Sequence, residues 1–131
     1  TQVVKGRRII GSQSSGTLEG SAGATLSLTK TNIFQNAYDT FITRAILIEC
    51  RIGSSGLGDD IKIPVRFRRE GNYYLDVITA GIIASSGRIG ISGTGVTVTL
   101  SIDSSTGLIT VLLTNVDGQA RTVNVSMLPS M

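Results

Sequence analysis

The side chains with the most chemical potential stand between positions 59 and 76. Arg66, Arg68 and Arg69 cluster there, with Lys62 close by. Arginine presents a planar fork that matches phosphate, sulfate or the carboxylate of an acidic sugar. Asn72, Tyr73, Tyr74 and Asp76 follow at once. Aromatic rings beside Asn, Asp and Arg suit a sugar, because the ring covers its apolar face and the polar groups read its hydroxyls. Neighbours on a strand face opposite ways, so only one of the two tyrosines can point outward. The expected binding residues are therefore Arg66, Arg68, Arg69, Asn72, Tyr73, Tyr74 and Asp76. The competing reading makes the basic residues guards of an exposed sheet edge, a common use of such side chains.

The other candidate groups offer less. Asp59 and Asp60 adjoin in a Gly/Ser segment, where aspartate usually makes turn hydrogen bonds. Asp39, Glu49 and Asp103 are further carboxylates, and a glycosidase-type pair among them is an open alternative. The spacing of a calcium-binding helix–loop–helix loop is absent. With no histidine, the chain lacks serine–histidine and cysteine–histidine nucleophiles and the commonest zinc sites. Cys50 has no second cysteine to bridge and sits in the most apolar run, so it reads as a small buried hydrophobe. The glycine string from Gly87 to Gly95 lacks the strand-to-helix context of a phosphate cradle. We therefore expect no enzyme, no cofactor and no metal. A net charge of +3 without a helix-turn-helix or aromatic ribonucleoprotein motif points away from nucleic acid. No run approaches the length of about 18 apolar residues that spans a bilayer, so no membrane insertion is expected.

The elements that position these residues read as strands. Isoleucine and valine dominate the apolar residues, and β-branched side chains pack well on a pleated surface. Phe41–Ile52 is the longest apolar stretch, apolar on both faces in its middle, which predicts a central strand. Gly53–Asp60 reads as a loop. Ile61, Ile63, Val65 and Phe67 alternate with Lys62, Pro64, Arg66 and Arg68, and Pro64 argues for an edge position. The turn at Arg69–Asn72 brings Tyr73–Thr79 back as the partner of a hairpin. Thr25–Thr29 is a short strand, Asn32–Tyr38 a helical turn, and Gly81–Gly95 holds one or two short strands. Val96–Ile102, Leu108–Thr114 and Ala120–Met127 read as a three-stranded meander. The Gly/Ser residues from Gly11 to Gly16 read as a flexible connection behind a basic start with Lys5, Arg7 and Arg8.

About eight short strands predict an all-β antiparallel sandwich, jelly-roll-like, with a closed barrel as the alternative. At 131 residues the chain suits one domain, divided as an arm over 1–24 and a sandwich over 25–131. Strands apolar on both faces need cover from a loop, from the arm or from a second subunit. The subunit reading assigns Ile46, Leu47, Ile48, Leu112 and Leu113 to an oligomer interface.

The C-terminal half resembles the receptor-binding tips of bacteriophage tail fibres and tailspikes. The resemblance lies in Gly71-Asn72-Tyr73-Tyr74, in Gly93-Thr94-Gly95-Val96-Thr97-Val98, and in the run from Ser105 to Val111 continued by Gln119 to Val123. It implies a β-sandwich that forms a homotrimer in the virion tail, exposed to the medium, and binds a host-surface glycan or protein. It also implies contacts with other virion proteins. The start at Thr1, the Gly/Ser stretch and the ending Leu128-Pro129-Ser130-Met131 fit a fragment from the end of a longer fibre. Two other classes stay open: a structural virion part, such as a capsid decoration or small jelly-roll coat protein, and a bacterial lectin or adhesin domain.

Overall fold

The computed structural model describes residues 13–30, 41–54 and 57–129, and the period of two in the sequence becomes ten strands among them. In chain order these are β1 (Gln13–Leu18), β2 (Thr25–Lys30), β3 (Phe41–Ser54), β4 (Leu57–Glu70), β5 (Asn72–Val77), β6 (Ile83–Ala84), β7 (Ile89–Gly90), β8 (Val96–Ile102), β9 (Ile109–Asn115) and β10 (Arg121–Pro129). A single 3-10 turn, Thr79–Gly81, joins β5 to β6. One sheet runs β1-β10-β3-β4-β5, with β6 also on β4; the other runs β2-β9-β8-β7. Every pairing is antiparallel except β7 with β8. The result is an all-β sandwich.

Alternate residues of the two sheets meet to form the core. Ile46, Ile48, Cys50 and Ile52 on β3 and Ile61, Ile63, Val65 and Phe67 on β4 are buried. Val96 and Val98 on β8 and Ile109, Val111 and Leu113 on β9 close the core from the other sheet. Each such side chain stabilises the fold by about 1.5–3 kcal/mol relative to exposure. Burial raises the Cys50 thiol to about 12, so it stays protonated and inert.

Several expectations from the sequence are corrected. The Gly53–Asp60 loop shrinks, because β3 and β4 pair out to Gly53↔Gly58 and Ser54↔Leu57. Asp59 and Asp60 are thus strand residues opposite Ile52 and Arg51. The Gly/Ser connection becomes, from Gln13 on, strand β1 against β10. The three-stranded meander breaks after β9, since β10 crosses to the other sheet and lies between β1 and β3. The jelly-roll expectation is not established: β1 lies beside β10, and β3, β4 and β5 run on as a meander in one sheet. The helical turn read at 32–38, Asp39 and the basic residues Lys5, Arg7 and Arg8 lie outside the described residues.

Pro64 does not mark an edge strand. β4 lies between β3 and β5, and Pro64 falls in the gap between the β5 and β6 pairings. Its carbonyl accepts from the Ile78 amide at 2.9 Å, while its missing N–H meets the crossing 3-10 turn and breaks no ladder. Gly81 of that turn lies so close that a Cβ would stand 2.7 Å from the proline ring.

The crossing of β10 is organised by one buried amide. Asn115 is 1% exposed; its Nδ2 donates to the Glu19 carbonyl at 2.7 Å and to the Gln119 carbonyl at 2.9 Å. Its Oδ1 accepts from the Gly118 amide at 2.8 Å, so the β1–β2 and β9–β10 connections are tied together. Replacing Asn115 by Ala strands these buried partners, and we expect a loss of about 1–3 kcal/mol in urea unfolding. Asn124→Ala, on the exposed face of β10, should cost far less.

Candidate functional site

The β4–β5 hairpin is built by alternation on both arms and by Gly71, whose φ of +73° permits the tight reversal between Glu70 and Asn72. Its register sets Arg66 opposite Asp76, Arg68 opposite Tyr74 and Arg69 opposite Tyr73. The even-numbered residues face outward, and the expected binding residues therefore divide between two faces.

Tyr73 is the inward tyrosine, 8% exposed, with its ring centroid 5.8 Å from that of Phe67. The β8–β9 turn supports it, because Gly107 leaves room for the ring: a Cβ there would stand 2.9 Å from Cδ1. The Tyr73 amide also donates to the Ser104 carbonyl at 2.8 Å. Arg69 lies on the same inner face, with its guanidinium 5.0 Å from the Tyr73 ring centroid. Tyr73 and Arg69 therefore belong to the end of the core, away from the outward group.

Tyr74 is the outward tyrosine, 38% exposed. The Arg68 guanidinium lies 4.6 Å from its ring centroid, a cation–π contact that holds the ring. Arg68 is fixed in turn by Glu70 Oε2 at 2.8 Å and Asp76 Oδ2 at 3.1 Å, which raise its pKa further. Arg66 and Asn72 are exposed on the same face. Tyr74, Arg68, Asp76, Asn72 and Arg66 thus form a shelf with one braced aromatic ring and several polar groups. Because β4 is an interior strand, its arginines guard no edge.

The residues assigned to an oligomer interface separate as well. Ile46, Ile48 and Leu113 are fully buried by the chain's own core, so a partner copy can reach only Leu47 and Leu112. These two are half-buried on the outer faces of different sheets. Leu112 stands opposite Ser27 and Thr99, between Thr110 and Thr114, and makes no apolar patch. Apolar surface gathers instead on the flank where β5 and β8 close the sandwich. A cleft of about 200 Å³ opens there, lined by Ile63, Val77, Thr79, Ile91, Val98, Thr99 and Leu100. Ile91 and Ile78 are 50% and 42% exposed on that flank, and Ile83 on β6 is 68% exposed.

Two ion pairs that sequence reasoning missed lock one end of the sandwich. Asp59 accepts Arg88 Nε at 2.8 Å and Nη2 at 2.9 Å, with Ser86 Oγ at 2.9 Å and Ser85 Oγ at 3.3 Å. Arg121, 4% exposed, binds Asp117 through Nη1 at 2.8 Å and Nη2 at 2.7 Å. The spacing of Asp117 and Arg121 was the available signal; the pairing of Asp59 with Arg88 had none. Asp103 caps its own turn, taking Ser105 Oγ and the Ser105 and Thr106 amides on Oδ1. On the outer face of β3 and β4, Asp60 and Glu49 share a hydrogen bond. Burial, then the hydrogen bond to Glu49, raises the Asp60 pKa, while the hydrogen bond with Asp60 lowers that of Glu49.

No family model matches the chain, and no curated protein matches it. Its fold is found elsewhere. Among solved structures, it is similar to the tailspike protein of Acinetobacter phage vB_ApiP_P1, with a TM-score of 0.51 and 10% identity. The match covers 90% of this chain and 22% of that one, so the chain spans about a fifth of the tailspike's length.

The two ion pairs give the fold a defined acid limit. The bonds from Arg88 and Arg121 hold Asp59 and Asp117 down to about 2, below the ordinary 3.8. A depressed folded pKa stabilises fully above the unfolded value and loses that contribution as pH falls through the folded one. Urea unfolding at a series of pH values should show stability falling steeply from about pH 4 toward about pH 2. Arg88→Met should be less stable at neutral pH and should fall less steeply below pH 4, since Asp59 then titrates near its ordinary value.

Proposed function

We propose that this chain is a non-enzymatic attachment module of a bacteriophage tail, which holds a glycan of the host cell surface on the outer face of β4 and β5. The observation that carries the reading is the shelf of Tyr74, Arg68, Asp76, Asn72 and Arg66 on a strand pair that is locked from behind. A ring braced by Arg68, with a carboxylate, an amide and a guanidinium beside it, presents the groups a pyranose needs. The fold-level similarity to a tailspike supports a place in the virion tail, exposed to the medium and joined to other virion proteins. The non-enzymatic reading is favoured by the carboxyl groups themselves. Asp59, Asp103 and Asp117 are tied to partners, and Glu49 and Asp60 bond to each other rather than stand apart across a cleft as glycosidase acids do.

The module acts as a homotrimer in this reading, and the flank of β5 and β8 fits the contact between copies. Tyr73 donates its amide away from β4 to Ser104, and Ile78 donates toward β4 to Pro64, so by alternation Leu75 and Val77 turn their backbone groups off the sheet. Leu100 and Ile102 do the same on β8 beyond its short pairing with β7. These two edges, unpaired among the described residues and beside an apolar cleft, are what a neighbouring copy would cover.

Two experiments test the reading. On an array of bacterial surface polysaccharides the purified chain should bind a subset saturably, and Tyr74→Ala should weaken binding about tenfold, or about 1.4 kcal/mol. Unchanged binding by Tyr74→Ala would remove the shelf from the account. In sedimentation analysis Ile91→Asp should dissociate the oligomer while Leu112→Asp leaves it whole. A monomeric wild-type chain, or an oligomer sensitive only to Leu112→Asp, would refute the β5–β8 contact.

A further inference from the structure

We infer that the ligand of this shelf carries a carboxylate-bearing sugar residue and that Arg66 is the group that binds its charge. This deepens the attachment reading above and rests on it.

Three cations project from the outer face of β4: Lys62, Arg66 and Arg68. Arg68 is held between Glu70 and Asp76. Lys62 faces an acid, Glu49, in the β3–β4 register, although the Glu49 carboxylate makes its ion pair with Arg51 at 3.4 Å. Arg66 is different. Its cross-strand partner on β5 is Asp76, yet the Asp76 carboxylate turns to Arg68 Nε at 3.1 Å. Its partner on β3 is Ala45, small and exposed, which offers no charge. Among the described residues no ion pair or hydrogen bond of the Arg66 side chain is found. An exposed guanidinium is therefore left open in the middle of the shelf.

Its position fits one sugar ring. Arg66 and Tyr74 are diagonal neighbours across antiparallel strands, a separation of about 7–8 Å between backbones that long and aromatic side chains bridge. A pyranose lying along that diagonal sets its apolar face on the Tyr74 ring, its carboxylate in the Arg66 fork and a hydroxyl toward Asp76. The local charge favours a single negative charge over a doubly charged phosphate. Glu70 and Asp76 already stand beside the arginines of this face, so the second charge of a dianion meets their repulsion. A carboxylate matches the bidentate fork without that cost.

The test uses the array of bacterial surface polysaccharides, each printed in native form, after chemical reduction of its carboxyl groups, and after removal of its phosphate. The wild-type chain should lose at least about tenfold in affinity on carboxyl reduction and little on phosphate removal. Arg66→Gln should show the same loss on native polysaccharides and no further loss on reduced ones. Arg66→Lys should recover part of the affinity, with a steeper loss in salt. Arg66 is exposed, and an unchanged unfolding curve for Arg66→Gln confirms that folding is not at issue. Equal binding of native and reduced forms, sensitivity to phosphate removal alone, or an unaffected Arg66→Gln overturns the assignment while leaving attachment standing. Failure of the wild-type chain to bind any polysaccharide in any form overturns the attachment reading as well.

Discussion

The structure depends on β4 being held from both sides. β3 pairs with it along its whole length, and β5 pairs with it from Val65 to Glu70. Its inner face supplies Ile61, Ile63, Val65 and Phe67 to the core, so the strand cannot shift by one residue without turning these outward. The same register fixes which side chains stand outside. Arg66, Arg68, Tyr74 and Asp76 share a face because the core has decided the register, and their order across the strands follows from it. The outward side chains of such a strand pair are preorganised by packing to which they do not themselves contribute.

The hairpin was the most legible part of the sequence because one face is dry and the other wet. Alternation gave its arms, Gly71 and Asn72 gave its turn, and the same period required that Tyr73 and Tyr74 part company. The doubly apolar middle of β3 correctly marked a central strand, between β10 and β4. The outward Leu112 of β9 stands opposite Ser27 and Thr99, and the outward Leu47 of β3 stands between Pro64 and Leu128 of its own sheet, neighbours that a single strand read alone does not display. Pro64 misled: its missing donor needs a gap in the ladder, and the gap between β5 and β6 serves as well as an edge does. The crossing of β10 was illegible because Asn115, in the turn it shares with Gln119 and Arg121, also needs Glu19, a residue far away in sequence that it meets only in the fold.

Buried charge is used here for anchoring. Arg121 and Asp117 stand where β10 leaves one sheet for the other, and Asp59 with Arg88 pins the region of β7 to the end of β4. Gly95 lies between the two pairs, near Arg121 Nη2 and the Arg88 carbonyl, where any side chain would intrude. Breaking one partner of such a pair costs more than the pair contributes, because the other charge is left in a poor solvent. The shelf works on the opposite rule: its acids quiet one arginine and leave the other open on a face that water reaches.

That β4 is an interior strand with a fixed register is the claim on which both shelf and core rest. Amide hydrogen exchange at single-residue resolution measures it directly. The Arg66, Phe67 and Arg68 amides should exchange as slowly as those of Ile48 and Cys50 in β3, near the limit set by global unfolding. Fast exchange at Arg66 and Arg68, comparable with the turn at Ser104–Thr106, would mean that β5 does not hold β4, and the shelf would lose its foundation.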